Sequence, residues 1–322
     1  MTASKTKRAF LSPDTQAVKA RLEPLLKELQ AQPEWYASIF YESKAATTFS
    51  ANLKQTQISE TRTAGVVLRI YDGFSLFDDA SDNLEPTALK EATHRAVKRA
   101  REATHDGLKA RPYVAPTWKQ RLAQKLDDEI TSQLPSPEPK ATEWVHMGIR
   151  ADIDPFALTP AQHVEFCRAQ VDKMKSLALK EGLSEKDLSF AVARLGIARE
   201  ESLFLDGGSR LSQTLYRMSL TLMTLSGSDR TFQRVGGLGG MEAIDYPESD
   251  LKQQLTDLAG LKNAGRLKPG NYRVIFGPVV TGVLAHEAFG HSQEGDTCAR
   301  GRSRAWDLHK TGEKVGNKNA TI

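Results

Sequence analysis

The sequence predicts an α+β fold, in which an N-terminal domain with helices and a mixed or antiparallel sheet precedes the beginning of a β-rich domain. Two observations lead to this class. Some segments repeat apolar residues at the helical period, whereas others are β-branched and aromatic or alternate between apolar and polar residues. In addition, the length of 322 residues favours about two domains, and 39% hydrophobic content supplies a core.

The N-terminal part is predicted to contain two helices and several strands. Helical spacing of apolar residues predicts helices over residues 14–30 and 86–103. Between them, β-branched and aromatic runs are typical of strands, and Asp72-Gly73 is a turn signal. The strands are expected at residues 36–41, 47–50, 64–71 and 74–77.

A proline-rich connector, residues 106–155, separates this part from the next and contains a weaker helical pattern at 120–134. Thr159-Pro160 then begins a helix that Gly182 ends, because Thr is a good N-cap and Pro a good first residue. Further helices are expected from Ser249 and from about Val280. Strands are predicted at residues 188–194, 197–205, 216–222 and 272–276.

These elements suggest a domain organisation. We assign residues 1–245 to the N-terminal α+β domain, with sub-segments 30–105 and 142–245 on either side of the proline-rich connector. Residues 246–322 are expected to begin the second, β-rich domain.

Charge, hydropathy and cysteine content indicate which partners and which cellular compartment to expect. The formal charge of +4 is small, and the basic residues are interspersed with acidic ones, so nucleic acid is not expected as the main partner. No run approaches the roughly 18 apolar residues that span a bilayer. The two cysteines, Cys167 and Cys298, form no CxxC pair, and no apolar leader follows the basic N-terminus. We therefore expect a cytoplasmic protein.

Three weaker candidate sites have ordinary structural interpretations that we favour. His94 and His105 accompany a basic helix face that is typical of a solvated surface. His163 and Cys167 have metal-compatible spacing, but no third ligand lies nearby in the sequence. The run 236–240 (GGLGG) fits neither phosphate-binding pattern and is interpreted as a mobile or backbone-close loop that can still border the active site.

The strongest candidate site is the stretch 283–296, in which His286, Glu287 and His291 lie close together in an apolar, helix-prone run. Imidazole is a common zinc ligand, and a neighbouring carboxylate can act as a base toward water. Residues five apart on an ideal α-helix are separated by about 140°, too far round to share one ion. The helix must therefore bend, bulge or unwind between the histidines, and Gly290 is the residue expected to permit this.

Residues 279–296 resemble the HExxxHxxxxD signature of the TldD/PmbA (TldD/TldE) metalloprotease family, in its TldD-like, metal-binding branch. A looser similarity to the family extends over residues 36–103, 188–240 and 270–278. The resemblance implies a zinc-dependent peptidase that cleaves unfolded or extended peptides and forms a homodimer or a heterodimer with a TldE/PmbA-like subunit.

The resemblance also implies roles for individual residues. His286 and His291 match the histidine ligands of the metal, and Glu287 matches the general base. Asp296 matches the terminal acid of the signature and is expected to orient a ligand or hold the bent turn. Glu294 is a second candidate for that task.

The third ligand of the family is a cysteine far downstream, and no residue here matches it. Cys298 is a possible substitute at a different position. We therefore expect the chain to be truncated before the rest of the catalytic domain and inactive alone, since catalytic zinc normally has three protein ligands. The alternatives are a non-catalytic partner or scaffold subunit with an incomplete metal site and, from the family's older label, a modulator of DNA gyrase.

Overall fold

The structure, a computed structural model, describes residues 7–106, 109, 140–184, 188–261, 264–295, 297 and 301–303. Two compact units contain these residues, Met1–Ala264 and Gly265–Ile322, and each is described by itself. Helices and a largely antiparallel sheet make up the first unit, which confirms the α+β class. The domain boundary expected at residue 245 stays a prediction.

A seven-stranded sheet is the centre of the first unit. Its strands are β2 (Tyr36–Asn52), β3 (Thr56–Tyr71), β4 (Leu76–Ser81), β5 (Trp144–Gly148), β7 (Phe190–Asp206), β8 (Arg210–Ser226) and β9 (Asp229–Leu238). Strands β4, β3, β2, β7 and β8 follow one another in this order across the sheet, and both β5 and β9 pair with the outer edge of β8. Every pairing is antiparallel except that of β5 with β8. A separate small ladder pairs β1 (Lys7–Arg8) with β6 (Arg150–Ala151).

Four helices belong to the described part of this unit, and short 3₁₀ turns at Pro155–Ala157 and Met241–Ile244 accompany them. They are α1 (Pro13–Leu29), α2 (Pro86–Glu102), α3 (Pro160–Lys180) and α4 (Glu248–Leu261). The ends of α3 follow from its sequence. Thr159 and Gln162 form a reciprocal capping box at its start, and Gly182, with φ of +85°, takes the left-handed conformation that follows its end.

The four helices pack on the same face of the sheet and form two adjacent apolar clusters. Helices α1 and α2 cover one half of the sheet, where β2 contributes Ile39 and Tyr41. Helices α3 and α4 cover the other half, where the same strand contributes Phe49 and Ala51. Because side chains alternate along a strand, the even-numbered residues of β2 lie on the opposite face of the sheet. The helices α1 to α4 leave that opposite face open.

Several predicted strands differ from the observed ones. The expected strands at 36–41 and 47–50 are one continuous strand, β2, because the polar residues between them are paired on both sides. The same holds for 188–194 and 197–205, which form β7. The loop expected at 236–240 is wrong in part, since Gly236 and Gly237 belong to β9.

The second unit is short, and its described residues include the α-helix that leads into the candidate site. This helix, α5 (Pro278–Ala285), continues as a π-helical turn (His286–Gly290) and a 3₁₀ turn (His291–Gln293). The strand expected at 272–276 is not formed, and these residues are exposed, irregular backbone. The helix predicted at 120–134 lies outside the described residues.

No helix in the described part of the chain is long and apolar enough to cross a membrane.

Candidate metal centre

The two histidines of the candidate site are brought together by a change of helix type. Helix α5 starts at Pro278, whose fixed φ suits a first turn, and is α-helical as far as Ala285. The N–H of His291 then donates to the carbonyl oxygen of His286, five residues earlier, which is the π-helical hydrogen bond. The expected departure from α-helical geometry is therefore a π-turn.

The π-turn places three potential donor side chains next to one another. The imidazole centroids of His286 and His291 are 4.6 Å apart and nearly perpendicular. Glu287 Oε2 lies 3.5 Å from His291 Nε2. One ligand atom from each of the three residues lies within 4.8 Å of the others, and all three residues are exposed to solvent.

Glu294 holds the second nitrogen of His291. Its Oε1 is 2.7 Å from His291 Nδ1, and Thr297 Oγ1 donates to its other oxygen at 3.4 Å. The hydrogen bond to Glu294 raises the pKa of His291 above its usual value, and the same bond lowers the pKa of Glu294. Because Nδ1 is engaged in this way, Nε2 is the nitrogen left to act as a ligand, an arrangement common for metal-binding histidines.

The donor set fits a divalent metal ion. Two imidazoles and a carboxylate are ligands that zinc accepts, with bonds of about 2.0–2.2 Å. Ligand atoms around a tetrahedral ion lie roughly 3.4 Å apart at such bond lengths, so donors within 4.8 Å need small side-chain rotations to converge. The exposure of the three groups leaves room for these rotations.

Gly290 closes the π-turn in a right-handed helical conformation, with φ of −54° and ψ of −54°. A Cβ at this position would lie 3.8 Å from His286 Nδ1 and would meet no closer atom, which is ordinary van der Waals contact. The backbone conformation alone does not require glycine. That Gly290 permits the bend stays a prediction.

Asp296 and Cys298 lie outside the described residues, so their expected roles stay predictions. Thr297 was not singled out in the sequence, because its side chain contributes a hydroxyl directed at Glu294. Threonine is too common for such a role to be visible in sequence spacing.

The pair His163 and Cys167 belongs to the core. His163 Nε2 is 2.9 Å from the carbonyl oxygen of Pro155, and its ring packs on Phe49. Burial lowers the pKa of His163 and raises the pKa of the Cys167 thiol to about 11. These are properties of buried side chains with structural partners, which agrees with the favoured interpretation.

His105 has a partner that the sequence did not indicate. Its Nε2 lies 2.7 Å from Asp72 Oδ2, and its ring stacks on Phe74 at 4.3 Å. Asp72 also accepts hydrogen bonds from the backbone of Phe74 and Ser75. The contact joins the segment after α2 to the turn between β3 and β4, more than 30 residues away, which is why spacing gave no signal.

Comparison with known proteins gives these residues a context. A family model described as the PmbA/TldA metallopeptidase C-terminal domain matches residues 269–322, a range that contains α5 and the π-turn. The comparison supports membership of the TldD/PmbA family of metallopeptidases.

Two curated relatives are called metalloproteases. The one from Methanocaldococcus jannaschii is 28% identical over 148 residues, which cover 44% of this chain and 32% of that protein. The one from Methanothermobacter thermautotrophicus is 29% identical over 119 residues, or 35% of this chain and 25% of that protein. The matches therefore span no more than about a third of the length of these relatives.

One solved structure shares the fold. A Bacteroides thetaiotaomicron protein described as a modulator of DNA gyrase superposes with a TM-score of 0.59 and 13% identity, covering 90% of this chain and 60% of that one. TldE from Thermococcus kodakarensis superposes with a TM-score of 0.43 and 16% identity. This match covers 75% of this chain and 47% of that one. The first of these likenesses supports the α+β architecture of this chain.

Proposed function

We propose that the protein is a zinc-dependent metallopeptidase of the TldD-like branch that cleaves unfolded or extended peptides. The observation that supports this best is the group of His286, Glu287 and His291, whose ligand atoms lie within 4.8 Å of one another. It stands in the region that the metallopeptidase family model matches. His286 and His291 hold the metal, and Glu287 is the general base.

Each residue has a defined task in this proposal. A bound zinc ion supplies Lewis-acid chemistry, which polarises a carbonyl group and makes water more acidic. The Glu287 carboxylate takes a proton from the attacking water and returns it to the leaving amine. Glu294 fixes the imidazole of His291 through Nδ1, and Asp296 is a second candidate for the same task.

With Glu287 acting as the base, two histidine ligands remain in the described group. Catalytic zinc sites normally have three protein ligands, so the affinity of this chain for zinc should be weak. Cys298 or a residue supplied by a longer protein or a partner would complete the set. We further propose a cytoplasmic homodimer or a heterodimer with a TldE/PmbA-like subunit.

A second candidate function is a non-catalytic partner or scaffold subunit. It is favoured by the same count of ligands, because two exposed histidines give a weak metal site. Zinc binding distinguishes the two functions. A peptidase requires that zinc bind at His286 and His291, whereas a scaffold subunit does not.

The test measures zinc binding and cleavage of an unstructured fluorogenic peptide side by side, in the longer protein or complex that supplies the third metal ligand. We expect His286→Ala and His291→Ala to abolish zinc binding, and Glu287→Gln to retain zinc while losing cleavage. Glu91→Gln on the exposed part of α2 is the matched control and should change neither. Full cleavage by Glu287→Gln would refute the assignment of the base. Zinc binding that survives both histidine substitutions would refute the site.

A further inference from the structure

The sheet face that lies opposite the four helices carries a groove of about 480 Å³ across β2, β7 and β8. The residues on the other side of the same strands, Phe49, Ile197 and Met218, belong to the core. The groove floor consists of small side chains: Ala46, Thr48, Gly196, Ala198 and Ser219. At Gly196 a Cβ would lie 2.6 Å from Ser219 Oγ, so a larger residue would disturb this floor.

Cations border the groove on two sides. Arg194 and Arg234 occupy one cross-strand row, on either side of Thr221. On the other side, the carboxylate of Glu200 forms two ion pairs. Lys44 Nζ lies 2.8 Å from its Oε1, and Arg217 pairs with its other oxygen. By strand alternation these side chains share the open face with the groove floor.

The charges on this face do not cancel. Arg194 forms no ion pair within the described chain, and Arg234 donates to the hydroxyl of Thr221 at 3.3 Å. Glu200 is a single carboxylate shared between two cations. A positive surplus therefore surrounds a floor that is narrow, uncharged and made of small residues.

We propose that this groove binds an acidic, extended segment of a partner polypeptide. Small floor residues allow a main chain to approach the sheet closely. Alternate side chains of an extended chain point to opposite sides, so its carboxylates reach both cationic borders. Arg194 and Arg234 bind these carboxylates through the paired N–H groups of their guanidinium groups. The binding needs neither zinc nor Glu287.

Two other occupants fit the groove less well. Single-stranded nucleic acid binds through aromatic side chains on which its bases stack, and the described lining of this groove contains none. A second copy of the chain would bring the same positive face against itself, which is repulsive. An acidic polypeptide satisfies both the charge and the shape.

The experiment measures fluorescence anisotropy of a labelled polyglutamate peptide of about ten residues, long enough to cross the groove at roughly 3.3 Å per residue. EDTA is present throughout, so failure of the zinc proposal does not affect the result. Arg194→Gln combined with Arg234→Gln should weaken binding about tenfold. Lys90→Gln combined with Arg101→Gln removes the same charge from exposed positions of α2 and should change the affinity less than about twofold.

A shape variant separates groove binding from general attraction to a basic protein. Ala46→Leu fills the floor without changing charge and should weaken peptide binding. A neutral glycine-serine peptide of equal length should not bind. Equal weakening by the α2 pair, unchanged affinity in Ala46→Leu, or tighter binding of a single-stranded oligonucleotide of the same charge would overturn the proposal.

Discussion

His291 donates its backbone N–H to the carbonyl oxygen of His286, and the two imidazole rings meet edge to face with centroids 4.6 Å apart. In an uninterrupted α-helix these side chains would point about 140° apart. The proposed metal ligands thus become neighbours through a single π-helical hydrogen bond. Such turns are rare and frequently occur at functional sites.

The first prediction concerns Glu294, which we expect to raise the pKa of His291 and to fix the orientation of its imidazole. Glu294→Gln removes the negative charge beside Nδ1, so the pKa of His291 in the metal-free protein should fall toward its ordinary value. NMR titration of the imidazole measures this change. Zinc affinity should fall about 10- to 100-fold, as is usual when a carboxylate behind a ligating histidine is lost. Glu91→Gln serves again as the charge-matched control; an unaltered zinc affinity in Glu294→Gln would exclude the positioning role.

The second prediction tests the need for glycine at position 290. Since φ is −54° and an added Cβ would touch His286 at 3.8 Å, Gly290→Ala should fold and retain the π-turn. Alanine favours helix by up to about 1 kcal/mol over glycine, so circular dichroism should show no loss of helix. Zinc titration decides the role: retained affinity means that glycine is not needed, and a large loss means that metal binding uses its conformational freedom.

The sequence was most informative where local chemistry decides the structure. Thr159 and Gly182 mark the ends of α3, and both act as expected. The need for distorted helix between His286 and His291 also followed from spacing alone. Non-local pairing was harder to predict, because Glu42 and Lys44 gave a polar break in what is a continuous strand. Likewise, residues 272–276 have the composition of a strand but no partner strand within the described part of their unit.

The third prediction concerns Glu201 on β7, whose buried carboxylate contacts the start of α1. It accepts hydrogen bonds from Ser12 N and Oγ at 2.5 Å and from Thr15 Oγ1 at 2.6 Å, and it pairs with Arg199 at 2.9 Å. Glu201→Ala removes the carboxylate, so the donors of Ser12 and Thr15 and the charge of Arg199 lose their shared partner. The free energy of unfolding should fall by about 3 kcal/mol, measured by urea denaturation. The exposed Glu60→Ala should change it by less than about 0.5 kcal/mol.

The same residue predicts a pH dependence of stability. Burial opposes ionisation of Glu201, but the hydrogen bonds from Ser12 and Thr15 and the charge of Arg199 outweigh it and lower the pKa. A lowered folded pKa gives stability that is present above the unfolded pKa of about 4.3 and is lost as pH falls through the folded value. The wild type should therefore lose more stability than Glu201→Gln between about pH 5 and pH 3. Parallel acid dependence of the two proteins would contradict this linkage.

The last prediction concerns Cys167, whose side chain is fully buried on α3 and donates to the carbonyl oxygen of Phe49. Burial raises the pKa of its thiol to about 11, so little thiolate exists at neutral pH. In a Cys298→Ser background, labelling of the thiol with an aromatic disulfide reagent should be slow in the native protein and complete after denaturation. Because α3 packs in the core, the native labelling rate should follow the opening of that core and rise with urea before the main unfolding transition. Rapid labelling in the absence of denaturant would show that Cys167 is accessible, and the core assignment of His163 and Cys167 would then be wrong.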